Sequence, residues 1–206
     1  MNPRGDLQDA AAPILGRRLS DEETEKLNNY LNLILKWQRI HRLVGSDDRN
    51  WILQSLLLDS LLFTKVLPRE AKEIADLGSG AGIPGIPLAI VLPSTRMRLI
   101  EARQKRVAFL ATAIRELRLD NARVHSGHLE EAAVPPELSG SFDAVVGRCA
   151  GDLGKVIPVG LLLVRSGGVV VFSGPPRSRP LPSGGWLTIP GVEPGTLRRF
   201  AVVTKP

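Results

Sequence analysis

Asp76-Leu77-Gly78-Ser79-Gly80-Ala81-Gly82-Ile83-Pro84-Gly85-Ile86-Pro87 decides how the rest of this chain is read. Ile74 and Ala75 precede it, and Leu88, Ala89, Ile90, Val91 and Leu92 follow it. That order predicts a short strand, a glycine-rich turn and a helix, the unit that brings a main chain close to a nucleotide-like ligand. Gly78, Gly80 and Gly82 lack the Cβ that would block a left-handed turn or a ligand lying on the backbone. The stretch predicts a site for a nucleoside-bearing cofactor.

Three cofactor classes use such a turn, and spacing separates them. A phosphate-cradling loop needs Lys-Ser/Thr after its last glycine, whereas Ile83 and Pro84 follow Gly82. The dinucleotide spacing Gly-x-Gly-x-x-Gly is met by Gly80, Gly82 and Gly85, so an oxidoreductase stays open at this point. The spacing acidic-x-Gly-x-Gly-x-Gly is met by Asp76, Gly78, Gly80 and Gly82, and resembles motif I of S-adenosylmethionine-dependent methyltransferases. Pro84 and Pro87 favour that reading, because proline supplies no N–H and makes this helix start a poor pyrophosphate cradle. Adenosylmethionine carries no phosphate. The next strand, Met97–Ile100, ends at Glu101, about twenty residues on, where a carboxylate can accept from both ribose hydroxyls. The competing role for Glu101 is to neutralise Arg103, Lys105 and Arg106.

The 206 residues suit one α/β unit with a small extension, and 43% of them are hydrophobic, which excludes a disordered chain. No apolar run reaches the ~18 residues of a membrane span, and the first residues lack a signal-peptide core. The single cysteine, Cys149, leaves no intrachain disulfide and fits a reducing compartment, so a cytoplasmic location is expected. The formal charge of +6 and a pI near 10.0 fit a polyanionic partner such as nucleic acid. A monomer with no membrane contact is expected.

Along the chain, residues 1–19 read as a loose leader punctuated by Pro3, Gly5, Pro13 and Gly16. Ser20 and Glu23 form a capping box opening a helix with apolar Leu27, Tyr30, Leu31, Ile34 and Leu35. A second helix starts near Ser46–Asp48 and stops before Pro68. From Lys72 onward strand and helix alternate, with strands near Glu73–Leu77, Arg96–Ile100, Ala122–His125, Phe142–Val146 and Gly168–Phe172. Helices fall at Pro84–Leu92, Lys105–Leu117 and Asp152–Leu163. One irregular helical turn is expected within Gly127–Ser141, a mobile loop over Pro175–Gly185, and an antiparallel edge from Trp186–Ile189 and Phe200–Thr204. The division is 1–71, leader and helical extension, and 72–206, a cofactor-binding domain with a mostly parallel sheet. Ligands bind beyond the carboxyl ends of such strands, which directs attention to Gly78–Gly82, Glu101, Ser126–Glu130, Gly147–Cys149 and Ser173–Pro176.

With these residues in place, the chain resembles the RsmG (GidB) family of small-subunit ribosomal RNA guanine-N7 methyltransferases. The Gly-Ile-Pro-Gly-Ile-Pro tail carries most of the likeness. Lys36-Trp37, Leu58-Asp59-Ser60, Lys105-Arg106-Val107-Ala108-Phe109-Leu110, Glu130-Glu131, Phe142-Asp143 and Arg148 match in family order over about residues 27 to 174. The resemblance implies a class I (Rossmann-like) methyltransferase fold, α/β with a mostly parallel seven-stranded sheet and an N-terminal helical extension. It implies S-adenosylmethionine as cofactor, and 16S ribosomal RNA or the 30S subunit as partner. It sets the cofactor against Asp76, Gly78, Ser79, Gly80, Gly82, Ile83 and Glu101, the adenine near Leu129 and Glu130, and Arg148 at both cofactor and target guanine. Five stretches differ from the family pattern. Arg42-Leu43-Val44 stands for Asn-Leu-Thr, Ser55-Leu56 for Arg-His and Glu101-Ala102 for Asp-Ser. Gly147-Arg148-Cys149 stands for Ser-Arg-Ala, and Ser173-Gly174 for Lys-Gly. The alternatives are therefore a cofactor-binding RNA-associated protein of the same fold that has lost turnover, or a methyltransferase for another RNA target.

Guanine N7 carries a free lone pair and no proton, so methyl transfer to it needs orientation and no general base. Arg148 is the candidate to orient the base, with Lys105, Arg106, Arg39 and Arg42 for RNA phosphates. Trp37 reads as a core residue ahead of a base-stacking one. Cys149 reads as a small hydrophobe, not a nucleophile. His41, His125 and His128 have no metal-ligand spacing, and no metal is expected.

Overall fold

The computed structural model describes residues 3–130, 134–148, 152–174 and 180–206. Seven strands form one sheet in the order β3-β2-β1-β4-β5-β7-β6. They are β1 (Glu73–Leu77), β2 (Arg96–Glu101), β3 (Ala122–Ser126), β4 (Phe142–Arg148), β5 (Val164–Ser173), β6 (Gly185–Pro190) and β7 (Leu197–Thr204). The first five pair in parallel, β7 runs antiparallel to β5, and β6 antiparallel to β7. Central β4 is buried from Phe142 through Gly147, as a strand covered on both faces must be. The chain builds outward from β1 to β3, then crosses back to lay β4 on the other side of β1. A crevice opens where the order reverses. Gly78 follows β1 and Arg148 ends β4, so both stand at that crevice.

Helices α5 (Gly85–Val91), α6 (Gln104–Glu116) and α7 (Leu153–Leu163) connect the parallel strands. At the lower end, Asp143 Oδ2 accepts from the Lys72 and Glu73 N–H groups at 2.6 and 2.9 Å, locking the start of β1 onto β4. Between β3 and β4, the Leu138 and Ser139 N–H groups donate to Pro135 O, a single turn. Residues 131–133 of that connection, and 175–179 of the Pro175–Gly185 loop, lie outside the described residues.

The amino-terminal part corrects two expectations. Residues 3–15 form helix α1 (Pro3–Leu15) instead of a loose leader. Leu7, Ala11 and Ile14, one helical face at i, i+4 and i+7, are buried in the same core as the sheet. Proline signals hid this helix: Pro3 sits at its first position, where the missing N–H goes unneeded, and Pro13 in its last turn. Helix α2 (Asp21–His41) follows with the expected Ser20–Glu23 capping box. The second departure is in the next helix. It starts at Asp48, whose carboxylate caps the Trp51 N–H, and is not uniform. It runs as α3 (Arg49–Ile52), a π-helical segment (Leu53–Leu58), α4 (Asp59–Leu61) and a 3-10 turn (Leu62–Lys65).

Leu7 is 2% exposed, so Leu7→Ala should cost about 2–5 kcal/mol in urea unfolding. A change below about 0.5 kcal/mol, as for a surface residue, would mean that α1 does not pack on the core.

Candidate cofactor cleft and active site

The glycine loop is held by main-chain bonds to its neighbour strand. The Gly78 and Ser79 N–H groups both donate to Ile100 O at 3.0 Å. The Glu101 carboxylate, 6% exposed, accepts from Gly80 N at 2.8 Å on one oxygen and from Arg103 N at 2.8 Å on the other. Arg106 Nη1 stands 3.9 Å away. Glu101 therefore ties the loop after β1 to the turn after β2 and keeps lone pairs for a ligand at the cleft wall. It stands beside the Arg106 guanidinium and lines the cleft beside Gly78.

Two glycines are required for different reasons. Gly78 has φ +74°, and a Cβ there would meet nothing within 4 Å, because that side opens into space. Gly85 has no such freedom: a Cβ would lie 2.2 Å from Leu99 Cδ2 and 2.7 Å from Asp76 Oδ2. Gly78 faces open space, and Gly85 allows a helix to touch a strand.

The space beside Gly78 is a cleft of about 790 Å³ lined by Gly78, Glu101, Arg106, Leu129, Glu130 and Val159, among others. A second recess of about 220 Å³ lies on the other side of Gly78 and Arg106. Its walls are Ser79, Gly80, Ala81, Ile83 and Arg148 on one side, and Leu43, Val44, Gly45 and Leu56 on the other. The sequence-predicted residues thus divide. Glu101, Leu129 and Glu130 line the cleft, Ser79, Gly80, Ile83 and Arg148 line the recess, Gly78 lines both, and Asp76 and Gly82 line neither. Arg106 lines both, so it points into the site instead of outward. Lys105, Arg39 and Arg42 are exposed, the last two at the end of α2. Trp37 is half-buried, edge-on to Phe109 at 5.4 Å, the core role. Cys149 lies outside the described residues.

Several residues that shape the site escaped the sequence reading. Gln38 grips the loop after α2 at both ends of one residue: Nε2 donates to Val44 O at 2.8 Å, and Oε1 accepts from Val44 N at 2.9 Å. Tyr30, fully buried in α2, donates its hydroxyl to Ala81 O in the glycine loop. Arg148 Nη1 donates to Ser55 O at 2.7 Å and lies 3.5 Å from Asp59 Oδ2. That carbonyl is available because of the π-helical segment. The Asp59 N–H bonds Gln54 O and Leu56 O, skipping Ser55 O, its α-helical partner. Burial lowers the Arg148 pKa, Asp59 opposing and Arg198 adding to the fall. Among the partners Tyr30, Gln38, Ser55 and Asp59, only Asp59 stood in a matched motif, Leu58-Asp59-Ser60.

The arrangement fits adenosylmethionine: a cradle at Gly78 that a side chain would fill, a carboxylate at the end of β2, and no lysine at the turn.

Asp76 is buried completely beneath the loop. One oxygen accepts from Gly85 N at 2.9 Å, and Oδ1 has no hydrogen-bond partner. Burial pushes its carboxyl up from 3.8 to about 7, against the Gly85 N–H and the Ser79 hydroxyl, with Glu101 adding to the rise. The folded protein thus retains a proton that the unfolded chain releases. The stabilisation is complete below about pH 3.8 and is lost as pH rises through about 7. The unfolding free energy of wild type relative to Asp76→Asn should therefore fall by on the order of 4 kcal/mol between pH 4 and pH 8. A flat difference across that window would show an ordinary carboxylate.

Comparison with known proteins places the chain. Residues 23–174 match the family described as GidB, rRNA small subunit methyltransferase G. The ribosomal RNA small subunit methyltransferase G of Polynucleobacter asymbioticus is 36% identical over 160 residues, 76% of this chain and 71% of that protein. Its namesake in Nitrosospira multiformis is 37% identical over 158 residues, 76% and 69% of the two chains. Among solved structures, the O-methyltransferase TomG of Streptomyces achromogenes, in complex with SAM, aligns over 100% of both chains with TM-score 0.58 and 16% identity. TYW2 of P. horikoshii, in complex with MeSAdo, aligns over 79% of this chain and 64% of its own with TM-score 0.55 and 15% identity. At those identities the structures speak for the class I methyltransferase fold alone. The glycine loop, the strand order and the match over residues 23–174 agree: this chain belongs to the GidB family of rRNA small subunit methyltransferases G.

Proposed function

We propose that this chain transfers the methyl group of S-adenosylmethionine to N7 of a guanine in 16S ribosomal RNA, free or within the 30S subunit, in the cytoplasm. The observation that carries the reading is the recess between the glycine loop and Arg148, which opens beside the cofactor cleft at the sheet's reversal point. Among the described residues no helix is long and apolar enough to cross a membrane.

Gly78 would lie against the cofactor with its main chain, Glu101 would hold the ribose, and Leu129 and Glu130 would hold the adenine. Bound there, the cofactor supplies a sulfonium-activated methyl group. Ser79, Gly80 and Ile83 form the wall between that group and the recess. Arg148 orients the base with its guanidinium, and Leu43, Val44 and Leu56 pack its apolar faces and exclude water. No residue has to remove a proton, because N7 has none. Arg106 works inside the site, between cleft and recess. Lys105, Arg39 and Arg42 are left for RNA phosphates, where their exposure suits them.

The decisive experiment incubates the protein with labelled adenosylmethionine and 30S subunits lacking the modification, then maps the methyl group. Label at a 16S guanine N7 is expected. Tight cofactor binding without label would favour the alternative, a family member without turnover. Arg148→Ala should abolish methylation while leaving the fold intact; wild-type turnover would remove Arg148 from the reaction. Gly78→Val should weaken adenosylmethionine binding by a hundredfold or more, roughly 3 kcal/mol, measured by calorimetry. Gly85→Ala should instead lose about 1–3 kcal/mol of stability through overpacking against Leu99. Equal effects of the two substitutions on binding would reject the cradle.

A further inference from the structure

Behind Arg148, on the side away from the glycine loop, lies a further cavity of about 290 Å³, shared with Gln54, Asp59, Glu193 and Arg198. Here two guanidiniums share one carboxylate. Asp59 Oδ2 is 3.5 Å from Arg148 Nη1, and Asp59 Oδ1 is 2.9 Å from Arg198 Nε. The side chains are only 25%, 12% and 22% exposed for Arg148, Asp59 and Arg198. Arg198 is steadied by donating to Gly174 O at 3.3 Å. Glu193 lines the same cavity but is exposed, so solvent screens it.

Simple neutralisation is the plain explanation, and two features exceed it. Asp59 Oδ2 and Arg198 Nε make no well-formed hydrogen bond, so this is not a network optimised for satisfaction. The helix carrying Asp59 also departs from α geometry just where doing so frees the Ser55 carbonyl for Arg148. Backbone and carboxylate converge on one guanidinium from the side opposite the recess.

We propose that Asp59, backed by Arg198, is a positioning residue that fixes the Arg148 guanidinium and tunes its charge for methyl transfer to a neutral base. The inference rests on the role proposed above for Arg148. In the transfer the N7–C bond forms as the C–S bond breaks, the bonding pair stays on sulfur, and one positive charge moves onto the base. A guanidinium without a counter-ion beside that base would oppose the movement, and a fully neutralised one would hold the base poorly. Two arginines and one aspartate leave one surplus positive charge, spread away from the recess.

The test is single-turnover methylation of 30S subunits lacking the modification. Asp59→Asn should slow the rate roughly 10- to 100-fold, with cofactor affinity and half-saturation by 30S within about twofold. Arg198→Met removes the surplus and should also slow the rate. Combining the two restores the original charge balance and should recover at least several-fold over Asp59→Asn. Loss of stability alone predicts no such recovery. A wild-type rate in Asp59→Asn, or a double variant no faster than it, overturns the proposal. Should Asp59→Asn not fold, Arg198→Met carries the test, and a wild-type rate there overturns it. Full activity in Arg148→Ala would instead overturn the underlying role of Arg148, which separates the two failures.

Discussion

Helix α5 approaches β1 and β2 so closely that no side chain fits between them, and the geometry of the carboxyl end of the sheet follows from that contact. Gly85 donates its N–H to Asp76, and a methyl group on it would lie within 2.2 Å of Leu99. The approach encloses Asp76 completely and raises its pKa toward neutrality by desolvation. It also forces residues 78–82 to leave β1 through left-handed turns, which Glu101 and Ile100 then fasten to β2. A buried carboxylate, a glycine run and a carboxylate one strand over are thus one mechanical unit.

The helices before the sheet belong to the site as much as the sheet does. Tyr30 reaches the Ala81 carbonyl from α2, Gln38 fixes the loop that faces the glycine turn, and Ser55 meets Arg148. This bears on the positions where the chain departs from its family. Val44 is held by its own N–H and carbonyl, and Ser55 contributes its carbonyl, so neither contact draws on the side chain that differs. At Gly147 a Cβ would fall 2.7 Å from the Phe172 ring and 3.0 Å from Leu77 O, so here the smaller residue is matched to its neighbours. At Val44 and Ser55 the substitutions alter side chains where the backbone does the holding, whereas at Glu101 the carboxylate itself ties the glycine loop to the next turn.

That division explains what could be read in advance. The five parallel strands, the three helices between them and the antiparallel edge are legible because apolar runs and breakers alternate at the right lengths. The glycine loop is legible because only glycine serves there. Helix α1 was hidden by prolines at its two ends, whose positions are tolerated by helix geometry but look like breaks in a string of letters. The π-helical segment was hidden because it depends on which carbonyl an N–H selects, and no residue type announces that choice. Arg198 joined Arg148 only through the pairing of β7 with β5, a contact between distant parts of the chain. Arg106 was assigned to RNA phosphates by its charge, and its place on α6 sets it along both cavities.

Methylation at a lone pair asks the protein for no acid and no base, so the reaction leaves little trace in titratable side chains. What it asks for is a base held in line and a charge balance that tolerates a new cation. The first demand falls on carbonyls, N–H groups and small residues, and the second on three charges, one buried and two half-buried, drawn from α4, β4 and β7. A single ion pair would cancel the charge of Arg148, whereas Arg198 leaves the three-residue cluster with one net positive charge. The guanidinium stays fully charged, and the freed Ser55 carbonyl fixes its direction without adding charge of its own.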